Sequence, residues 1–172
     1  METEPVSVPL FMSFLAVNAG IIIQFAIFFF LLLCSALISG AEVALFSLSP
    51  TDIDELKEEN SATSNLLVKL VENPKKLLAT VLIANNLVNI SIVLLFVDLG
   101  EFLFRGIENP IIYEIMNVGV VTFVLLLCGE ILPKIYANRN NLKFAQRVAY
   151  PIYTLDTLFT PISVPMKGFT VW

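Results

Sequence analysis

The sequence predicts an all-α, polytopic membrane protein with three transmembrane helices and juxtamembrane helices on the cytoplasmic side. Apolar residue types make up 57% of the 172 residues and charged types only 15%. The mean hydropathy of +0.84 is higher than water-soluble domains normally carry. Residues 21–46, 77–97 and 110–132 are apolar stretches, each as long as the ~20 helical residues that cross a hydrocarbon core.

Helix-start signals agree with this division of the chain. Asn73-Pro74 and Asn109-Pro110 each offer an N-cap side chain followed by proline, at the points where the second and third spans should begin. The run Ser49-Pro50-Thr51-Asp52 predicts a cytoplasmic helix that continues toward Glu59.

Three regions follow from these signals. Residues 1–20 form an extracytoplasmic segment, residues 21–136 form the transmembrane domain with a helical loop at 47–76, and residues 137–172 form an amphipathic juxtamembrane segment. Residues 10–19 are also uncharged and could add a fourth membrane segment, but Asn18 and Gly20 favour a helix at the outer face.

The basic residues predict the orientation. Arg105 is alone in the loop between the second and third stretches, and the other cations follow the first and third: Lys57, Lys69, Lys75, Lys76, Lys134, Arg139, Lys143, Arg147 and Lys167. By the positive-inside rule the N-terminus lies outside and the C-terminus in the cytoplasm.

The composition excludes several classes of function. The chain has no histidine, which removes imidazole triads and histidine zinc sites. A net charge of −5 argues against nucleic acid as a partner. Cys34 and Cys128 lie in apolar runs and receive no role. An intramembrane hydrolase is disfavoured because Ser39 has no evident base except a carboxylate, so we expect no enzyme activity.

Polar groups inside the spans predict a functional site. An ionisable side chain in hydrocarbon costs about 2.5 to 3.5 kcal/mol, so Glu42 and Glu130 each require a partner or a purpose. Ser35, Ser39 and Glu42 share one face of the first span, and Asn85 and Asn89 share one face of the second.

Pro133 predicts the centre of that site. It cannot donate to the carbonyl of Gly129, so that oxygen lacks its helical partner at membrane depth, beside the carboxylate of Glu130. Ser39, Asn85 and Glu130 lie roughly 6 to 11 Å inside the inner boundary at 1.5 Å per residue. Such an all-oxygen set suits a hard cation, and residue types alone leave Mg²⁺, Ca²⁺ and Na⁺ open.

Each polar group also has a structural explanation. The two serines could bond their own helix, and the asparagines could join helices. Glu130 could pair with Lys134 four residues later, and Glu42 could accept from a helix N-terminus.

Three motifs in this order resemble the transmembrane domain of the CNNM/CorC family of magnesium transporters, including its gliding-motility-associated bacterial branch. They are Ser39-Gly40-Ala41-Glu42-Val43-Ala44, Asn85-Asn86-Leu87-Val88-Asn89, and Gly129-Glu130-Ile131-Leu132-Pro133-Lys134. The resemblance implies a homodimer in the bacterial inner membrane, with regulatory CBS modules after residue 172.

The resemblance also implies a ligand set and an activity. Mg²⁺, with its water largely removed, would be held in an inward-facing cavity and transported, with Na⁺ as a coupling ion. The ligand positions are Ser35, Ser39, Asn85, Asn89, Gly129 and Glu130, and Glu42, Asn86, Pro133 and Lys134 occupy further motif positions. The alternative is a non-transporting scaffold for motility or secretion machinery, in which the polar groups only join helices.

Overall fold

The computed structural model describes residues 8–160, with side chains from residue 19 onward, and it is helical almost throughout. The elements are α1 (Val8–Phe46), α2 (Pro50–Glu59), α3 (Ala62–Val71), α4 (Pro74–Leu103), α5 (Pro110–Val124), a π-helical segment (Leu125–Ile131), α6 (Leu132–Arg139) and α7 (Asn141–Leu158). No strand occurs in this part of the chain, so the predicted all-α class is confirmed.

Three helical stretches are long and apolar enough to cross a membrane: Ala19–Phe46, Pro74–Leu103 and Pro110–Arg139. The prediction of three spans is therefore confirmed, and the chain is a multi-pass membrane protein. Large apolar side chains such as Phe29 and Phe123 are 63% and 66% exposed, as expected of a surface that faces lipid.

The helices extend further than the sequence predicted. The second span reaches Leu103, and the third continues through Pro133 to Arg139. The backbone of α1 runs without a break from Val8 past Gly20, because one glycine costs a helix only ~1 kcal/mol. A separate outer helix over residues 10–19 is thus not seen, and the side chain of Asn18 lies outside the described part.

The predicted helix starts are largely observed. Asn109 Oδ1 accepts from the backbone N–H of Ile111 at 3.0 Å and of Ile112 at 3.3 Å. Ser49 and Asp52 form a reciprocal capping box, and the Ser49 hydrogen bonds lower the pKa of Asp52. Asn73 differs from the prediction, because it occupies the N-cap position of α4 without a capping hydrogen bond from its side chain.

The loop between the first two spans contains one helix more than predicted. After α2 ends at Glu59, Asn60 adopts a left-handed conformation with φ of 46°. Ser61 then opens α3 by accepting from the backbone N–H of Ser64 at 3.1 Å. The prediction missed α3 because its start has no proline after the cap.

Helix α7 crosses one end of the bundle, which we call the α7 end. At its start, Asn141 Nδ2 donates to the carbonyl of Ser47, just after α1, at 3.0 Å. Near its C-terminus, Asp156 forms an ion pair of 2.6 Å with Lys76, in the first turns of α4. The helix thus ties the end of the first span to the beginning of the second.

The aromatic side chains of α7 do not all lie at a membrane surface. Phe144 is buried, and a Cβ atom on Gly40 would lie 2.6 Å from its Cζ atom. Tyr150 is exposed, as an interfacial residue would be. Residues 161–172, with Lys167 and Trp172, lie outside the described residues.

Two apolar clusters form the interior. The cluster at the α7 end joins α1, α2, α3, α4, α6 and α7, with Ala41, Leu67 and Ala145 among its fully buried members. The cluster at the opposite end joins α1, α4, α5 and the π-helical segment around Phe28 and Ile92. Along their helices, Ser35, Asn85, Asn89 and Glu130 lie between members of the two clusters, and Ser39 lies beside Ile38 of the first.

Candidate cation site

The six predicted ligand positions lie on three neighbouring elements, and we call them the polar layer. They are Ser35 and Ser39 on α1, Asn85 and Asn89 on α4, and Gly129 and Glu130 on the π-helical segment. Each of the three elements places at least one of these residues against a neighbouring span, since Ser35 bonds Asn89 and Asn89 bonds Glu130.

Three side chains of the polar layer form one hydrogen-bonded chain. Ser35 Oγ donates to Asn89 Oδ1 at 2.7 Å, and Asn89 Nδ2 donates to Glu130 Oε1 at 3.0 Å. All three spans therefore meet in this chain, with Asn89 as the central link. The carboxylate of Glu130 keeps its second oxygen and the remaining lone pairs of the first, since a carboxylate accepts about four bonds.

Gly129 allows the π-helical segment to approach α1 closely. A Cβ atom at this position would lie 3.0 Å from Ser35 Oγ and 3.5 Å from Ser35 Cβ. Ser35 itself is fully buried. The absence of a side chain at Gly129 thus brings backbone of the third span next to the hydroxyl group of the first.

Two polar atoms of the layer are buried without a hydrogen-bond partner among the described residues, Ser39 Oγ and Asn85 Oδ1. Ser39 is fully buried, and Asn85 is partly exposed although its oxygen is not. Leaving a buried polar group unpaired costs about 1 to 3 kcal/mol. These two oxygens are therefore available to a ligand that can satisfy them.

The backbone around Pro133 lacks one hydrogen-bond donor. The N–H of Leu132 donates to the carbonyl of Leu127, five residues earlier, so the segment is in the π register where it meets the proline. Pro133 has no N–H and can serve neither the carbonyl of Cys128 in the π register nor that of Gly129 in the α register. The sequence predicted this lost bond for Gly129 and missed the change of register.

Lys134 pairs with a different acid from the one considered in the sequence. Its Nζ lies 3.0 Å from Glu42 Oε2, so it bridges α6 to α1 and does not use Glu130. The sequence also left open that Glu42 accepts from a helix N-terminus, whereas the structure shows it paired with Lys134. Both side chains are about one-third exposed, at 37% and 33%, and none of the described cations forms an ion pair with Glu130.

Asn86 is oriented away from the polar layer. It is exposed, and its Nδ2 donates to the carbonyl of Leu82 in its own helix at 2.8 Å. Together with Asn89 and Thr122 it lines an open, mostly apolar groove of about 350 Å³ between α4 and the third span.

One polar residue was not singled out in the sequence. Asn117 on α5 is 5% exposed, and its Oδ1 is buried without a partner in the described part of the chain. It packs against Gly100 of α4, where a Cβ atom would lie 2.7 Å from Asn117 Cγ. An asparagine in an apolar span opposite a glycine was the signal for this contact.

No three His, Cys, Asp or Glu side chains within the described residues lie close enough together to hold a metal ion. Any cation in the polar layer would therefore depend on hydroxyl, carboxamide and backbone oxygens, with Glu130 as the single unpaired charge. Such donors are characteristic of hard ions.

One known protein family matches most of the chain. The family model described as "Cyclin M transmembrane N-terminal domain" matches residues 26–172, most of the chain. The chain belongs to the CNNM transmembrane-domain family. The match includes most of the first span, all of the second and third, and every residue of the polar layer.

Individual CNNM relatives come from bacteria and animals. A UPF0053 protein of Haemophilus influenzae is 33% identical over 84% of this chain and 34% of its own length. The UPF0053 inner membrane protein YfjD of Escherichia coli is 31% identical over 80% of this chain and 29% of its own length. The Caenorhabditis elegans protein named metal transporter cnnm-4 is 31% identical over 79% of this chain and 30% of its own length. The chain thus spans about a third of the length of these relatives.

Proposed function

We propose that this CNNM domain binds Mg²⁺ in the polar layer and moves it across the cytoplasmic membrane. Metal ion transport is supported by family membership and by the names of relatives such as metal transporter cnnm-4. The oxygen donors of the layer suit a hard cation, and the choice of Mg²⁺ among hard cations rests on the resemblance to magnesium transporters.

The observation that carries the proposal is the pair of buried, unpartnered oxygens on Ser39 and Asn85. They border the hydrogen-bonded chain of Ser35, Asn89 and Glu130. A cation placed among these groups would satisfy both orphan oxygens and neutralise the carboxylate of Glu130, which has no basic partner in the part of the chain that the structure describes.

The charges around the layer favour a cation. Glu42 and Lys134 neutralise each other, so Glu130 leaves the layer with a formal charge of −1. In a low-dielectric interior, one uncompensated carboxylate attracts a divalent ion strongly. Lys134 therefore does not neutralise the carboxylate of Glu130.

The route across the membrane belongs to the same proposal. The layer lies nearer the α7 end, and the basic residues there favour a cytoplasmic location, so the ion would be bound from or released to the cytoplasm. Three helices are few to enclose a polar path, so we propose a homodimer. We also propose that the transport of Mg²⁺ is coupled to Na⁺ and is regulated by CBS modules.

The second candidate function is a scaffold in which the polar layer joins helices without binding an ion. The bonds among Ser35, Asn89 and Glu130 favour it, because three of the six positions already satisfy one another. The scaffold explanation does not account for the orphan oxygens of Ser39 and Asn85.

The test is thermal unfolding of the purified protein with and without Mg²⁺, for the wild type and for Glu130→Gln. A ligand that binds only the folded state adds about 2.7 kcal/mol at 100 times its Kd. We expect Mg²⁺ to raise the Tm of the wild type and to leave that of Glu130→Gln unchanged.

Glu114→Gln is the matched control, since Glu114 lies on the same span but is exposed near its opposite end. It should retain the full response to Mg²⁺. An equal response in Glu130→Gln, or none in the wild type, would refute binding in the polar layer.

A further inference from the structure

The groove between α3 and α7 lies outside the polar layer and carries a net positive charge. It has a volume of about 430 Å³ and is lined by Glu59, Ser61, Thr63, Lys143, Gln146 and Arg147. None of these residues takes part in the hydrogen bonds or the ion pair of the polar layer described above.

The two cations of this groove have no acidic partner among residues 19–160. Lys143 and Arg147 are exposed, lie one turn apart on α7, and form no ion pair with any described carboxylate. Glu59 shares the groove, but its Oε2 accepts from Ser64 Oγ at 2.7 Å and from Gln146 Nε2 at 3.4 Å. Like charges four residues apart repel each other, so an anion between them would be stabilising.

The start of α3 adds to the positive potential. Ser61 satisfies the N–H of Ser64 at 3.1 Å, while the N–H groups of Ala62 and Thr63 belong to the first turn and have no partner within the helix. They lie at the positive end of the helix dipole, where phosphate groups bind. This terminus supplements the two side-chain cations.

The position of α7 indicates where the anion comes from. The helix begins beside Ser47, directly after the first span, and Asp156 ties its other end to Lys76 at the start of the second span. It therefore crosses the bundle where two spans end, at the level of the lipid headgroups. Basic residues at this level are attracted to anionic lipids.

We propose that the groove binds the phosphate of an anionic phospholipid headgroup, with Lys143 and Arg147 as its cationic ligands. Glu59 provides an acceptor for a hydroxyl group on the headgroup, as in phosphatidylglycerol. The net charge of +1 in the groove matches one phosphodiester. This site is independent of the proposed transport of Mg²⁺.

The experiment measures lipid binding to the purified full-length protein in detergent micelles, by native mass spectrometry and by Tm. Dioleoyl phosphatidylglycerol is compared with dioleoyl phosphatidylcholine and with soluble glycerol 1-phosphate. We expect the wild type to prefer phosphatidylglycerol, and the double variant Lys143→Gln/Arg147→Gln to lose about fivefold in affinity for each cation removed.

The matched control is Lys57→Gln/Lys75→Gln, which removes two exposed cations from the same end of the bundle but outside the groove. It should keep the preference, as should Arg147→Lys. An unchanged Tm in phosphatidylcholine shows that the double variant is folded. If the double variant does not fold, the proposal is tested on the other proteins: the wild type should lose its preference for phosphatidylglycerol at high salt, and Arg147→Lys should keep that preference. Equal loss in the control pair, equal binding of phosphatidylcholine, or an equal effect of glycerol 1-phosphate would overturn the proposal.

Discussion

Ser35 and Ser39 lie one turn apart on the same face of α1, yet their hydroxyl groups have different surroundings. Ser35 Oγ donates to Asn89 at 2.7 Å, whereas Ser39 Oγ is buried without a partner in the described structure. A hydroxyl group that joins helices should contribute to stability in the absence of ions. A hydroxyl group that binds a ligand should contribute to stability only when the ligand is bound.

The two alanine substitutions therefore separate the candidate functions. Ser35→Ala breaks a buried hydrogen bond and should lower the free energy of unfolding by about 1 kcal/mol without Mg²⁺. Ser39→Ala should leave this free energy unchanged or slightly raised, but should weaken stabilisation by Mg²⁺. Denaturant unfolding at several Mg²⁺ concentrations measures both effects. If Ser39→Ala destabilises the ion-free protein as much as Ser35→Ala, the scaffold function is favoured.

Gly129 provides a second test at the same contact. Alanine there would place Cβ 3.0 Å from Ser35 Oγ, so Ser35 must shift and weaken its bond to Asn89. We expect Gly129→Ala to cost about 1 to 3 kcal/mol, as overpacking usually does. Thermal unfolding checks this value.

Gly119→Ala is the matched control, because a Cβ atom at Gly119 meets nothing within 4 Å and alanine favours a helix by about 1 kcal/mol. It should be neutral or stabilising. Adding Ser35→Ala should recover part of the loss in Gly129→Ala, and strict additivity of the two costs would contradict the contact.

At this scale the sequence predicts which residues matter but not how they pair. Ser35, Asn89 and Glu130 were identifiable because polar groups in a span are costly, which depends on residue type and depth alone. The partner of Lys134 was not identifiable. Glu42 and Glu130 are both within reach of that side chain, and the choice depends on how α6 is rotated relative to α1.

Among the elements, the sequence predicted neither α3 nor the π-helical segment, and the second of these shapes the polar layer. Pro133 indicated a lost hydrogen bond, and the chain responds by changing register over Leu125–Ile131 before α6 resumes. This turns the backbone so that Gly129 faces Ser35. That the third span is helical was predictable from its hydropathy and its N-cap, while its register depends on how the segment packs against α1.

Pro133→Ala tests the role of this register. Alanine restores an N–H that can bond the carbonyl of Cys128 or Gly129, so the free energy of unfolding should rise by up to about 3 kcal/mol. If that carbonyl contributes to the ion site, stabilisation by Mg²⁺ should fall. The Tm without Mg²⁺ measures the gain in stability, and the rise of Tm on adding Mg²⁺ measures the stabilisation by the ion.

Pro151→Ala serves as the control, since Pro151 also lies inside a helix but on α7, away from the polar layer. It should stabilise the protein and leave the response to Mg²⁺ intact. A normal ion response in Pro133→Ala would mean that the proline-freed carbonyl takes no part in binding.

The whole molecule is electrically asymmetric along the bundle. Arg105 lies in the connection between α4 and α5 at the end opposite α7, with Asp98, Glu101 and Glu108 nearby in sequence. Every other described cation is at the α7 end: Lys57, Lys69, Lys75, Lys76, Lys134, Arg139, Lys143 and Arg147. The span count and this bias were both readable from the sequence, because each depends only on composition along the chain.

The asymmetry predicts that the α7 end lies in the cytoplasm, which sets the side to which the polar layer opens. After Cys34 and Cys128 are replaced by alanine, a single cysteine is introduced as Arg105→Cys or as Lys57→Cys, both at exposed positions. A membrane-impermeant maleimide should label Arg105→Cys in intact cells and Lys57→Cys only after the membrane is permeabilised. The reverse pattern would place the polar layer toward the outside, and the anionic headgroups that we assign to the α3–α7 groove would then belong to the outer leaflet. Since either result fixes the side on which an ion enters or leaves, this labelling experiment should precede any measurement of transport direction.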